Sequence, residues 1–386
     1  MAAVLALASA AALAGASGCS VHKPTGQGAS ITRTAKVGEG LAGKCPPTVV
    51  LQTDWYPADE YGAVWKLLGG KPEWDDSHKT ITAKLVAHGV DTGVKLQIRS
   101  GGEVVGFRTP LDLAYHDDSI TLAGADLDQV WKNSKTYPMQ AVFAPMDVSP
   151  IVLMWDPKRY PTIHTITDIR KHPQVKVRVL KTATYPDFLV PGVLLPSQID
   201  RSYTGDSSPW MADKGKEIQQ GYLTNEVYAY QYLYPQWHKP VRWVLVGGNY
   251  NGAYRNYQEA FTIREDRKAE LAPCLKLLIP DLQQATVDYM HDPDPTNQLI
   301  RDARDHFQAP GLYPKELQDA GVKVMRSAGI IGNGPNNVVG DFDPARVNTL
   351  FTQVIKDFQT KRVPLAPGLK PDQTYTNEYL AKIGLN

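Results

Sequence analysis

Carboxylates and aromatic rings recur together along this 386-residue chain, at points where apolar runs break. Asp54-Trp55-Tyr56 closes one such run, and Glu60-Tyr61 follows it closely. Gly101-Gly102, Asp126, Thr184-Tyr185, Asn225-Glu226 and Tyr250 mark further breaks. Aromatic faces stack on planar rings and surround cations, while carboxylates, amides and hydroxyls fix a guest's orientation. That inventory suits holding a small molecule better than transforming one. Each residue also has a plainer use. Asp54 can cap the helix after it, Trp55 and Tyr56 can be packing, and Gly-Gly is a ready tight turn.

Reactive groupings are missing from the sequence. It contains no G-x-S-x-G, no H-E-x-x-H and no P-loop. Its three Cys form no C-x-x-C pair and its nine His are scattered, so neither a metal nor a cofactor is expected. His116-Asp117-Asp118 reads as a solvated turn. The expectation is a binder and not an enzyme. Lys+Arg is 41 against Asp+Glu 40, which leaves no field to attract nucleic acid.

The elements that must position these residues follow from hydrophobic patterning. Residues 48–53 (TVVLQT) read as a buried strand, 59–68 and 79–88 as helices, and 94–98, 119–122 and 140–144 as strands, with 127–132 helical. Alternating strands and helices predict an α/β fold built on a parallel sheet. The pattern restarts with strands at 150–155 and 175–180. Residues 221–225 form a strand edge, and 241–247 lead back into the first sheet. From residue 265 the chain is mainly helical. Two lobes result, 46–147 with 241–386 and 148–240, joined by a hinge of two crossings near 146–149 and 238–240. C-terminal helices pack on the first lobe.

The N-terminus has a different character. Residues 1–18 carry no charge and are nearly all small or apolar, as in a signal peptide. Ala16-Ser17-Gly18-Cys19 resembles a bacterial lipobox, which makes Cys19 the expected lipidation site. Residues 19–45, rich in Gly, Ser, Thr, Lys and Ala, read as a flexible tether. Export permits a disulfide, and Cys45 and Cys274 are the remaining pair.

Several segments resemble one family in order along the chain. Residues 51–62 (LQTDWYPADEYG), 94–106 (VKLQIRSGGEVVG), 119–126 (SITLAGAD), 221–226 (GYLTNE) and 373–385 (QTYTNEYLAKIGL) are similar to the nitrate/sulfonate/thiamine-precursor class of ABC-transporter substrate-binding proteins. The resemblance implies a type-2 periplasmic-binding fold and an extracytoplasmic location; with the lipobox, the expectation is a monomer tied to the membrane by its lipid. It further implies delivery of a small-molecule solute to a permease and its ATPase. This sequence departs from the family at Tyr61, where His is frequent, and by added residues over 69–80. Acidic and aromatic candidates favour a planar or nitrogen-containing solute such as a thiamine pyrimidine precursor. A sulfonate, nitrate or aromatic acid is the alternative within the fold. A thiamine-pyrimidine synthase-like enzyme or an extracellular sensor is the alternative beyond it.

Overall fold

A computed structural model describes residues 26–189, 192–248 and 254–385. The strands are β1 (Arg33–Thr34), β2 (Thr48–Gln52), β3 (Leu68–Asp75), β4 (Thr80–Ala87), β5 (Val90–Arg99), β6 (Leu122–Ala125) and β7 (Met139–Phe143). There follow β8 (Ile151–Trp155), β9 (Val177–Leu180), β10 (Ile199–Tyr203), β11 (Ile218–Tyr222), β12 (Arg242–Leu245) and β13 (Ala260–Arg264). One sheet has the order β3-β4-β5-β2-β6-β13-β7, with β1 beside β5, and the other has the order β10-β9-β11-β8-β12. This is the α/β, two-lobed architecture that the patterning predicts.

Each central strand divides its side chains between two cores, as a period of two requires. In β2, Val49 and Leu51 enter one core and Val50 the other. In β8, Ile151, Leu153 and Trp155 face one cluster while Val152 and Met154 face another. Helices Lys268–His291 and Asp294–Phe307 cover the first sheet through Leu275, Leu278, Ile279, Leu299, Ile300 and Phe307. Helix Lys315–Ser327 reaches further, its Val322 and Met325 joining Val152, Met154 and Leu223 of the second lobe.

Four sequence expectations are corrected here. The first sheet is mixed, not parallel. β2 runs parallel to β5 and β6, whereas β4 is antiparallel to β3 and β5, and β13 to β6 and β7. Residues 79–88 are a strand and not a helix. Ile81, Ala83 and Leu85 alternate into the core, and His88 (φ 52°) with Gly89 (φ 74°) makes a two-residue hairpin turn into β5.

From Gly26 onward the expected tether is instead packed on the first lobe. The Ala29 N–H donates to Leu68 O at 2.7 Å, β1 pairs with β5, and Leu41 is buried. A Cβ at Gly28 would lie 2.2 Å from Leu68 O, so this glycine allows close approach and does not signal flexibility. Cys45 is bonded to Cys274 with Cα atoms 4.5 Å apart, which ties the segment to helix Lys268–His291.

The return crossing also lies later than 238–240. β12 pairs antiparallel with β8, so the chain stays in the second sheet until residue 245 and rejoins the first at β13. β12 is a sheet-edge strand with Trp243 partly exposed at 41%, and edge strands carry little hydrophobic pattern to read.

One guanidinium holds both crossings. Arg346 Nη1 bonds the backbone carbonyl and carboxylate of Asp147 in the first crossing. Its Nε and Nη2 bond Arg255 O at 2.8 Å and Asn256 O at 2.7 Å in the second. The same group lies 3.8 Å from the centre of the Tyr257 ring.

Candidate solute site between the lobes

The site is assembled where strands end. After β2, Gln52 Nε2 donates to the carbonyls of Thr53 (3.0 Å) and Ser100 (3.2 Å), which fixes the loop that turns Asp54 outward from the sheet. The Gly101 N–H donates to Trp55 O at 2.9 Å. A side chain at Gly101 would collide with Thr53 O, 2.3 Å from its Cβ, so the turn requires glycine. Asp126 follows β6, residues 182–185 follow β9, and Tyr222 ends β11. In open α/β sheets the carboxyl ends of strands are where ligands collect.

These ends enclose a cavity of about 60 Å³. The first lobe contributes Asp54, Asp126, Asp128 and Gln129, and the crossings contribute Ser149, Asn256 and Gln258. From the second lobe come Thr182, Thr184, Tyr185, Gln220 and Tyr222. Of the residues singled out from sequence, Asp54, Asp126, Thr184 and Tyr185 line this space. Tyr250 lies outside the described residues, as does Cys19.

The other candidates surround the cavity without lining it. Trp55 reaches across to the second lobe, its ring fitting between one glycine from each lobe. A Cβ would sit 2.9 Å from that ring at Gly102 and 2.7 Å from it at Gly205, which is in the loop after β10. Tyr56 is buried edge-on to Trp55, with centroids 6.3 Å apart. Glu60 receives the Thr224 hydroxyl from the second lobe, and Tyr61 donates its hydroxyl to Asp54. Glu226 supports Tyr222 by accepting its backbone N–H at 2.7 Å, and it also accepts the Tyr203 hydroxyl at 3.0 Å. Asn225 begins the short helix carrying Glu226, and its N–H donates to Tyr222 O.

Carboxyls paired with phenols dominate the electrostatics. Besides Tyr61 with Asp54, Tyr254 donates to Asp128, and Tyr222 donates across the lobes to Glu259 at 2.9 Å. A phenol supplies a hydrogen bond but no positive charge. Burial, with Glu60 adding repulsion, therefore pushes the Asp54 carboxyl up to about 6. Burial raises Asp128, and it raises Asp126 and Glu259 well above the usual carboxylate range, with neighbouring acids adding to these last two. Among the described residues neither Lys nor Arg lines the cavity, and no grouping of His, Cys, Asp and Glu suited to a metal ion is present.

Sequence reasoning missed Asp128, Gln129, Gln220, Asn256, Gln258 and Glu259. Gln220 left a signal, as a polar residue inside the buried strand β11; its Oε1 accepts the Tyr185 hydroxyl at 2.8 Å. Residues 256–259 escape notice when the return crossing is placed at 238–240.

No protein-family model matches the sequence, and no curated protein does so either. Solved structures do match. The alkanesulfonate-binding protein SsuA from Xanthomonas axonopodis pv. citri, bound to MOPS, aligns over 86% of this chain and 98% of its own, with TM-score 0.53 and 12% identity. The periplasmic aliphatic sulphonate binding protein SsuA from Escherichia coli aligns over 86% and 92%, with TM-score 0.53 and 11% identity. The periplasmic nitrate-binding protein NrtA from Synechocystis PCC 6803 aligns over 86% and 87%, with TM-score 0.53 and 10% identity. The fold is that of the two-lobed periplasmic binding proteins. Within this binding-protein fold, the acidic cavity between the sheets is the candidate site.

Proposed function

We propose that this protein is the extracytoplasmic solute-binding component of an ABC importer. It captures a small planar or nitrogen-containing solute between its lobes and passes it on unchanged to a permease and ATPase. The observation that carries this reading is the cavity between the two sheets, lined from both lobes by residues at strand ends. A solute favours the closed arrangement because only there can it bind the walls of both lobes at once. The resemblance to substrate-binding proteins, together with a fold shared with sulfonate- and nitrate-binding proteins, supports the transport role. Cys19 is the proposed lipid attachment and the protein a monomer held at the outer face of the membrane.

The test is a thermal-shift screen of the exported body against nitrogen heterocycles, amines, sulfonates, nitrate and aromatic acids, followed by calorimetry of any solute that binds. A true solute at a thousandfold excess over Kd stabilises the native state by about 4 kcal/mol. Chemical turnover of the bound solute by the purified protein would replace the transport reading with an enzymatic one.

A further inference from the structure

We infer that the cavity takes a small organic cation bearing N–H donors, an ammonium, amidinium or protonated aminopyrimidine head, and excludes anions. This rests on the reading of the cavity as a solute site. The atoms lacking partners decide the polarity. Asp128 (1% exposed), Asn256 (3%) and Thr184 (4%) line the cavity. Asp128 Oδ1, Asn256 Oδ1 and Thr184 Oγ1 have no hydrogen-bond partner. Two of these atoms can only accept, and the third is a hydroxyl able to accept. Buried acceptors without donors are costly, so an occupant that brings donors relieves them.

Charge points the same way. Asp54, Asp126 and Asp128 share the lining, and Glu259, with its unpartnered Oε2, stands behind Tyr222. An anion entering this space meets acceptors that it cannot satisfy and, once Asp54 is ionised, like charge. Among the described residues, the charged side chains that clamp anions, Arg above all, have no counterpart on these walls. Tyr185 and Tyr222 add ring surfaces of the kind that attract cations. Size sets a further limit. One water occupies roughly 10–15 Å³ on this measure of volume, so a cavity of about 60 Å³ accepts a head group of a few heavy atoms without the lobes parting.

The experiment compares two chemical classes on the same protein by thermal shift and calorimetry. Methylguanidinium, agmatine, a short diamine and 4-aminopyrimidine form the cation arm; methanesulfonate, taurine and nitrate form the anion arm. At least one cation is expected to raise Tm with saturable binding, while no anion does. Asp128→Asn keeps the Tyr254 hydrogen bond possible and removes a charge, and it should weaken the bound cation about tenfold or more. Asp54→Asn serves the same purpose should Asp128→Asn fail to fold. Binding of the guanidinium and amine members, which stay charged throughout, is also expected to tighten from pH 5 to 8 as Asp54 ionises. Among the described residues, the titratable groups that interact with Asp54 are Glu60, Tyr61, Asp126, Glu259 and Tyr222, none of them basic. An anion that binds while every cation fails overturns the cation assignment and leaves the solute-binding reading standing. A panel in which neither class binds overturns both, and cation binding unchanged in both variants overturns the assignment to this cavity.

Discussion

Asp59 shows how one buried acid sets a pH response. Its carboxyl, bonded by Gln318 Nε2 at 2.7 Å and beside Glu60, Tyr313 and Arg304, is pushed up to about 7, chiefly by burial. In the unfolded chain the same group ionises near pH 4 (about 3.9). Between those values the folded state retains a proton that the unfolded state has lost, so stability falls as pH rises from about 4 to about 7. The slope from this one group is at most about 1.4 kcal/mol per pH unit. Asp59→Asn cannot ionise, and its urea-melt stability should vary less over that window than the wild type's. Parallel profiles for the two proteins would remove Asp59 from the account. Trp55 poses a different residue-scale question, since it touches Gly205 of the opposite lobe and not the cavity. Trp55→Ala should weaken solute binding about tenfold, mainly through faster dissociation, because it removes a closing contact and leaves the solute contacts intact. An unchanged dissociation rate would show that the ring plays no part in closure.

Among the elements, the two crossings matter most. Arg346, from helix Pro344–Thr360, bonds Asp147 in one crossing and Arg255 and Asn256 in the other. Arg346→Ala strips these carbonyls of their donor and should cost about 2–4 kcal/mol in a denaturant melt. A cost under about 1 kcal/mol would mean that water replaces the guanidinium freely. Legibility of the elements from sequence varies for physical reasons. β2 and β8 are readable because they are buried on both faces and their apolar runs are unbroken. β4 misleads because Gly89, which closes its hairpin turn, serves equally well as the stop signal of a helix. β12 is easily given to the wrong sheet because an exposed edge strand has no pattern that names its neighbour. Of the site, Asp54, Asp126, Thr184 and Tyr185 are legible as polar or aromatic residues at strand ends. Asp128 and Asn256 are not, since what matters about them is an oxygen left unpartnered, and no sequence period encodes that.

At the scale of the molecule, the disulfide joins residues 229 positions apart and fastens the N-terminal segment to the long helix of the first lobe. Replacing Cys45 and Cys274 by Ala should lower stability by about 2–5 kcal/mol, with Tm falling equally in wild type given reductant. Solute affinity should be little changed, because neither cysteine borders the cavity; a large loss of affinity would reveal coupling between the two. The docking of Gly26 has one more result. Its N–H donates to the Asp302 carboxylate on helix Asp294–Phe307, which joins the chain ahead of β1 to that helix. Residues that precede the first long strand thus close onto the helical layer of the C-terminal half, and the first lobe is sealed from both ends of its sequence.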